Sequence, residues 1–106
     1  MHGGITPAGF DCSGFVYFIF NKAGIALGRA MWDQINAGQH IAAADLRPGD
    51  LVYFKNTYHK GVSHIAIYIG NGKIVHACNE RVGVTVSDLW SPYWVAHYAG
   101  AVRIVH

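Results

Sequence analysis

The sequence predicts a single α+β domain, and three observations predict it. One segment near the N-terminus has helical apolar spacing, short β-branched and aromatic runs dominate after residue 47, and Gly- or Pro-containing turns separate them. The composition suits a packed core. Of 106 residues, 52% are hydrophobic and only 13% charged, against about 25% charged in average soluble domains. Intrinsic disorder is excluded by that apolar fraction, and the length fits one domain over residues 1–106. No apolar run approaches the roughly 18 residues of a membrane span, so no membrane insertion is expected. The eight Lys and Arg are scattered with no two adjoining, which leaves no basic stripe for nucleic acid.

The elements follow in order. Asp11 reads as the N-cap of a helix from Cys12 to about Ala23. Val16, Ile19, Phe20 and Ala23 form its apolar face, and Gly24 stands where a left-handed C-cap residue belongs. A shorter helix is expected over Ala30 to Ala37, stopped by Gly38. Arg47-Pro48-Gly49-Asp50 reads as a turn into a strand over Leu51 to Lys55. His64 to Ile69 and Lys73 to Cys78 pattern as a hairpin around Gly70-Asn71-Gly72, with further strands at Val84 to Val86 and Ala101 to Val105. There is no internal repeat or linker.

Cys12 falls in the first turn of the expected helix, where unpaired N–H groups and the helix dipole favour a thiolate and could hold an oxyanion. Its other reading is a small buried hydrophobe. The two cysteines, Cys12 and Cys78, are too few for a disulfide framework. One bridge, two free thiols, or a catalytic thiol with a buried passenger all fit. Activation of Cys12 by a histidine would keep alkylation fast well below the pH at which an ordinary thiol loses reactivity.

A cysteine nucleophile needs a base and a group that orients the base. Among the seven His, His64 and His76 are the candidates, and the hairpin turn decides whether they meet. A two-residue Asn71-Gly72 loop sets Ile67 opposite His76 and turns the two His to opposite faces. A three-residue Gly70-Asn71-Gly72 loop sets Ala66 opposite His76 and makes the two His diagonal neighbours on one face. Both loops fit the sequence. Otherwise, His64 caps a strand edge and His76 is a hydrogen-bonded core residue.

At this point a longer pattern is present. Gly3-Gly4, Phe10-Asp11-Cys12-Ser13-Gly14-Phe15-Val16, Leu46-Arg47-Pro48-Gly49-Asp50-Leu51-Val52-Tyr53-Phe54, Ser63 to Gly72 and Ile74-Val75-His76-Ala77 together resemble the NlpC/P60 family of cell-wall peptidases over essentially the whole chain. The resemblance implies a papain-like fold, with the cysteine-bearing helix packed on an antiparallel sheet. It implies Cys12 as nucleophile, His64 as base and then acid, and His76 as the group orienting His64. It implies peptidoglycan stem peptides as substrate, often cut between D-γ-glutamyl and a diamino acid, with no cofactor and no metal. Asp11, Ser13 and Ser63 are the substrate-binding candidates, Asp11 and Ser13 also being helix-capping residue types.

The family usually carries an N-terminal helix and a Tyr shortly before the paired glycines, lining the oxyanion site. Neither precedes Gly3 here, and His2 and Tyr53 are the conceivable stand-ins. Cys78, two residues past His76, raises a four-ligand zinc alternative with Cys12, His64 and His76, at a spacing that matches no standard zinc pattern. Trp32, Tyr58, Trp90, Tyr93 and Trp94 read either as groove residues for a sugar-peptide polymer or as core and lid. His40, His59, His97 and His106 read as surface or core. Competing functions are a wall-binding module without catalysis and an amidase or acyltransferase of related fold. An extracellular, wall or periplasmic location is expected, with delivery by a signal or domain outside this sequence.

Overall fold

The computed structural model describes residues 11–57, 60–79 and 83–104, the side chains of Cys78 and Asn79 apart. Helix α1 spans Cys12–Lys22 behind an extended N-cap Asp11. The Asp11 carboxylate accepts the Gly14 N–H at 2.7 Å, satisfying one of the donors a helix start leaves over. Gly24, at φ +84°, ends it in the left-handed region. The buried face is Phe15, Val16 and Phe20. Of the face the apolar spacing marks, Val16 and Phe20 are buried, whereas Ile19 and Ala23 are exposed.

Helix α2, Met31–Ile35, is shorter than the segment expected over Ala30 to Ala37. Asn36 takes the C-cap position and its Nδ2 donates back to the Trp32 carbonyl at 2.8 Å. Two residues on, Gly38 crosses so close to the last strand that a Cβ there would sit 2.0 Å from the Arg103 carbonyl oxygen. The chain therefore leaves the helix to pair with that strand.

The sheet is antiparallel. It runs β1 (Gln39–Ile41), β2 (Leu51–Lys55), β3 (Val62–Gly70), β4 (Lys73–Asn79), β5 (Gly83–Asp88) and β6 (Tyr98–Arg103), in the order β1-β6-β2-β3-β4-β5. Strand β1 and helix α3 (Pro92–His97) are absent from the sequence reading, and β6 begins at Tyr98 rather than Ala101. Of the last expected strand, Val105 lies outside the described residues. Helix α3 begins at Ser91-Pro92, with Pro in the first turn, where its missing N–H costs nothing.

One apolar layer lies between α1 and the sheet, centred on Val16, Leu51, Ile65 and Val102. A second, with Val52, Phe54, Ala66 and Ile74, lies on the other face beneath Trp94 and Tyr98. The turn into β2 is held by Asp50, which accepts the Arg47 N–H at 2.8 Å and two bonds from the Arg103 guanidinium at 2.9 and 2.7 Å.

The hairpin register combines both expected loops. Gly70 pairs with Lys73, so Asn71 and Gly72 form a two-residue turn, both at positive φ (54° and 72°). Ile69 is then an extra residue on β3, and beyond this bulge Tyr68 pairs with Ile74 and Ile67 with Val75. Continued, that register sets Ala66 against His76, the pairing of the three-residue alternative. A second bulge leaves Ser63 between the pairs Phe54↔His64 and Lys55↔Val62. Bulges re-aim the residues beside them, and these two flank His64.

Candidate active site

Helix α1 brings Cys12 against β3. The thiol packs on the helix-side core, where the backbone amides of Ile65, Ser13 and Cys12 favour its thiolate form. Ile65 follows His64 directly, so the sulfur meets β3 one residue beyond the candidate base. The dipole-based expectation of a depressed thiol pKa is not met. Burial pushes the Cys12 thiol above its ordinary value; the three amides oppose that and the Asp11 carboxylate adds to it. A desolvated sulfur with few donors keeps its proton.

The His pair forms. His64 Nε2 and His76 Nδ1 lie 2.7 Å apart, and both residues are fully buried. Trp94 from α3 stacks on the His64 ring, with centroids 5.4 Å apart, and meets the His76 ring edge-on at 5.1 Å. Phe54 flanks His64 from β2 at 6.0 Å. In this aromatic box charge is costly. Burial, then the neighbouring His76, lower the His64 pKa to about 3, and burial lowers that of His76 to about 4. Among the described residues no hydrogen bond joins Cys12 to the His64 ring; catalytic bonds are commonly long in free enzymes and tighten with substrate.

The remaining expected residues have mixed fates. Asp11 and Ser13 do stand beside Cys12, and both are engaged by Arg29: Nη1 donates to Ser13 Oγ at 2.9 Å and Nη2 to the Asp11 carboxylate at 3.0 Å. Ser63 is buried and its Oγ accepts the Thr57 N–H at 2.9 Å, closing the β2–β3 connection. Tyr53 packs on the same helix-side core as Cys12, its hydroxyl 3.2 Å from His40 Nδ1 and its ring lying over Gly100, where a Cβ would fall 2.5 Å from that oxygen. Trp94 is a lid on the His pair, whereas Trp32, Trp90 and Tyr93 are exposed. His97 donates to the Lys55 carbonyl at 2.8 Å. Gly3, Gly4, Phe10, His2, Tyr58, His59, His106 and the Cys78 side chain lie outside the described residues. Among those described, no three His, Cys, Asp or Glu side chains are grouped to hold a metal ion.

Sequence reasoning missed three contributors. Arg29 ties the loop before α2 to the start of α1. Gln34, fully buried, pins that loop by donating from Nε2 to the Ser13 and Gly28 carbonyls, each at 2.9 Å. Ser87 on β5 stands 2.8 Å from His76 Nε2. Its signal was the alternation continuing from Thr85, which faces His76 across the β4–β5 pair.

Comparison with known proteins identifies the family and the fold. The model of the NlpC/P60 family matches residues 1–103. The γ-DL-glutamyl hydrolase of Bacillus subtilis is 46% identical over 96% of this chain, which spans 24% of that protein. A Staphylococcus aureus structure described as similar to lipoprotein, of the NLP/P60 family, superposes with a TM-score of 0.89 at 38% identity, covering 100% of this chain and 36% of its own. The chain is also similar, at 25% identity and a TM-score of 0.72 over 91% of its length, to 67% of RipD from Mycobacterium tuberculosis, described as a non-catalytic NlpC/p60 domain protein adapted to peptidoglycan binding.

Proposed function

Since the chain belongs to the NlpC/P60 family, we propose that it is a cysteine peptidase hydrolysing amide bonds of peptidoglycan stem peptides outside the cell membrane, at the bond between D-γ-glutamyl and a diamino acid. The observation that carries this reading is the His64–His76 hydrogen bond of 2.7 Å in a buried aromatic box, beside a strand whose next amide meets the Cys12 sulfur. A His buried only for packing needs no second imidazole. A base that must be oriented needs a partner on its far ring nitrogen, the place His76 takes.

In the mechanism that follows, Cys12 Sγ attacks the scissile carbonyl carbon while its proton passes to His64. With His64 Nε2 turned to His76, Nδ1 is the nitrogen that takes the proton. The tetrahedral oxyanion is held by amides at the start of α1. His64 returns the proton to the departing amine as the C–N bond breaks, leaving a thioester on Cys12. Water then adds to the thioester carbonyl, giving its proton to His64. The proton returns to sulfur as the C–S bond breaks, freeing the acid and the thiol. His76 holds the His64 ring throughout. Asp11 and Ser13, joined to Arg29, form the polar rim offered to the substrate.

The test is digestion of purified muropeptides, resolved by mass spectrometry. Wild type should cut between D-γ-glutamyl and the diamino acid, and Cys12→Ala should not. Cleavage that survives Cys12→Ala refutes the mechanism. Sacculus binding without cleavage by wild type makes the domain a wall-binding module of the kind RipD is described to be.

A further inference from the structure

We infer that Ser87 is a positioning residue for this site: its hydroxyl accepts the His76 Nε2–H and thereby keeps the His76 Nδ1 lone pair turned to His64. The inference rests on the Cys12–His64–His76 reading and adds a fourth member to it, on the sheet's edge strand.

One proton can lie between two ring nitrogens 2.7 Å apart, and it has two arrangements. In the first, His64 Nε2–H donates to His76 Nδ1. Then His64 Nδ1 carries a lone pair able to take the thiol proton, and His76 carries its own proton on Nε2. In the second, His76 Nδ1–H donates to His64 Nε2, and His64 carries its proton on Nδ1, where it cannot act as base. Which tautomer a ring adopts is set by the bond its other nitrogen makes.

His76 is fully buried, so an Nε2–H without an acceptor would be an unsatisfied interior donor, costly in free energy. Ser87 Oγ, 2.8 Å away, removes that cost by accepting. The same hydroxyl can donate to a bare Nε2 in the second arrangement, but a bare ring nitrogen tolerates the loss of its partner better than a buried N–H does. Removing the hydroxyl therefore shifts the balance to the second arrangement. The value of the hydroxyl grows as the reaction proceeds. When His64 takes the thiol proton, its Nε2–H pulls harder on His76 Nδ1, which acidifies the His76 Nε2–H and strengthens its bond to the hydroxyl. That gain exists with the imidazolium and not with the resting neutral pair. It therefore belongs in kcat more than in KM.

Thr and Val at position 87 have the same shape, both suit a strand, and only Thr has the hydroxyl. Ser87→Thr should keep kcat on a γ-glutamyl muropeptide within about threefold of wild type, and Ser87→Val should lose about tenfold or more with KM little changed. Ser87→Ala, which adds no bulk, should match the Val variant. ¹⁵N spectra of the His rings provide a reading a packing role would not move. His76 should be protonated at Nε2 in wild type and Thr, and carry a population protonated at Nδ1 in Val and Ala. Equal kcat for Thr and Val, or a His76 still wholly Nε2-protonated in Val and Ala, overturns the inference. If wild type leaves muropeptides uncut, the enzymatic reading falls, while the tautomer spectra, which need no substrate, still decide the role of Ser87.

Discussion

Acidification should unfold this domain through its own His pair. In an unfolded chain each imidazole has a pKa of about 6.5; in the folded protein burial lowers His64 to about 3 and His76 to about 4. Above pH 6.5 neither state binds protons at these rings, and stability is at its full value. Below it the unfolded chain takes up protons that the folded box refuses, so stability falls until the pH reaches the folded values. Each ring then removes about 1.4 kcal/mol per pH unit, or about 2 kcal/mol at pH 5. The pair together removes about 4 kcal/mol, a large share of the 5–15 kcal/mol of a typical domain. Urea unfolding at pH 7 and pH 5 measures the difference, and His76→Gln, which cannot titrate, should halve the fall. A wild-type fall below about 1 kcal/mol, or one unchanged in His76→Gln, would refute the neutral buried pair.

Two further outcomes test the surroundings of Cys12 and the turn into β2. Asp11→Asn keeps an N-cap residue of equal quality but removes the carboxylate that raises the Cys12 pKa. Alkylation by iodoacetamide at neutral pH should then rise severalfold, and a slower or unchanged rate would count against the charge effect. Asp50→Ala removes a buried carboxylate held by Arg103 at 2.9 and 2.7 Å. Losing these bonds leaves the Arg47 N–H and the partly exposed Arg103 guanidinium without their carboxylate and should lower the melting temperature by several degrees. An unchanged melting temperature would show the pair to be dispensable.

What the sequence made legible followed local rules. The α1 start at Asp11, its end at Gly24 and strand β2 rest on capping and alternation, and all three stand as read. The turn chemistry of Asn71-Gly72 was also legible, but the register was not, because Ile69 bulges out for reasons that lie in sheet packing. The sequence offered two loops as alternatives; the chain takes the turn of one and the register of the other. Strand β1 was unreadable because three residues with no apolar alternation become a strand only when β6 accepts them. Of the site, residue type and spacing offered Cys12 and, on one of two loops, the His pair; their roles were what the family resemblance implied. Arg29, Gln34 and Ser87 were not legible, since each acts through a partner 11 or more positions away. Ser63 was read as facing substrate, but its bulge turns it into the loop.

The resting charge state constrains how the proposed reaction can begin. Burial raises the thiol above its ordinary 9.0 and lowers the adjacent base to about 3. The same desolvation thus opposes a preformed thiolate–imidazolium pair from both ends. Moving the proton from Cys12 to His64 in the free enzyme is uphill at both ends, because each partner's charged form is desolvated. The step is therefore best coupled to attack: as sulfur bonds to the carbonyl carbon, its negative charge passes to an oxygen that the amides at the head of α1 can hold. The amide at Ile65 that now partly stabilises the sulfur is then released, and the imidazolium gains the His76 and Trp94 contacts already in place. On this account the dry aromatic box keeps the thiol protonated and unreactive until a substrate carbonyl arrives, and the nucleophile is generated only where it is used.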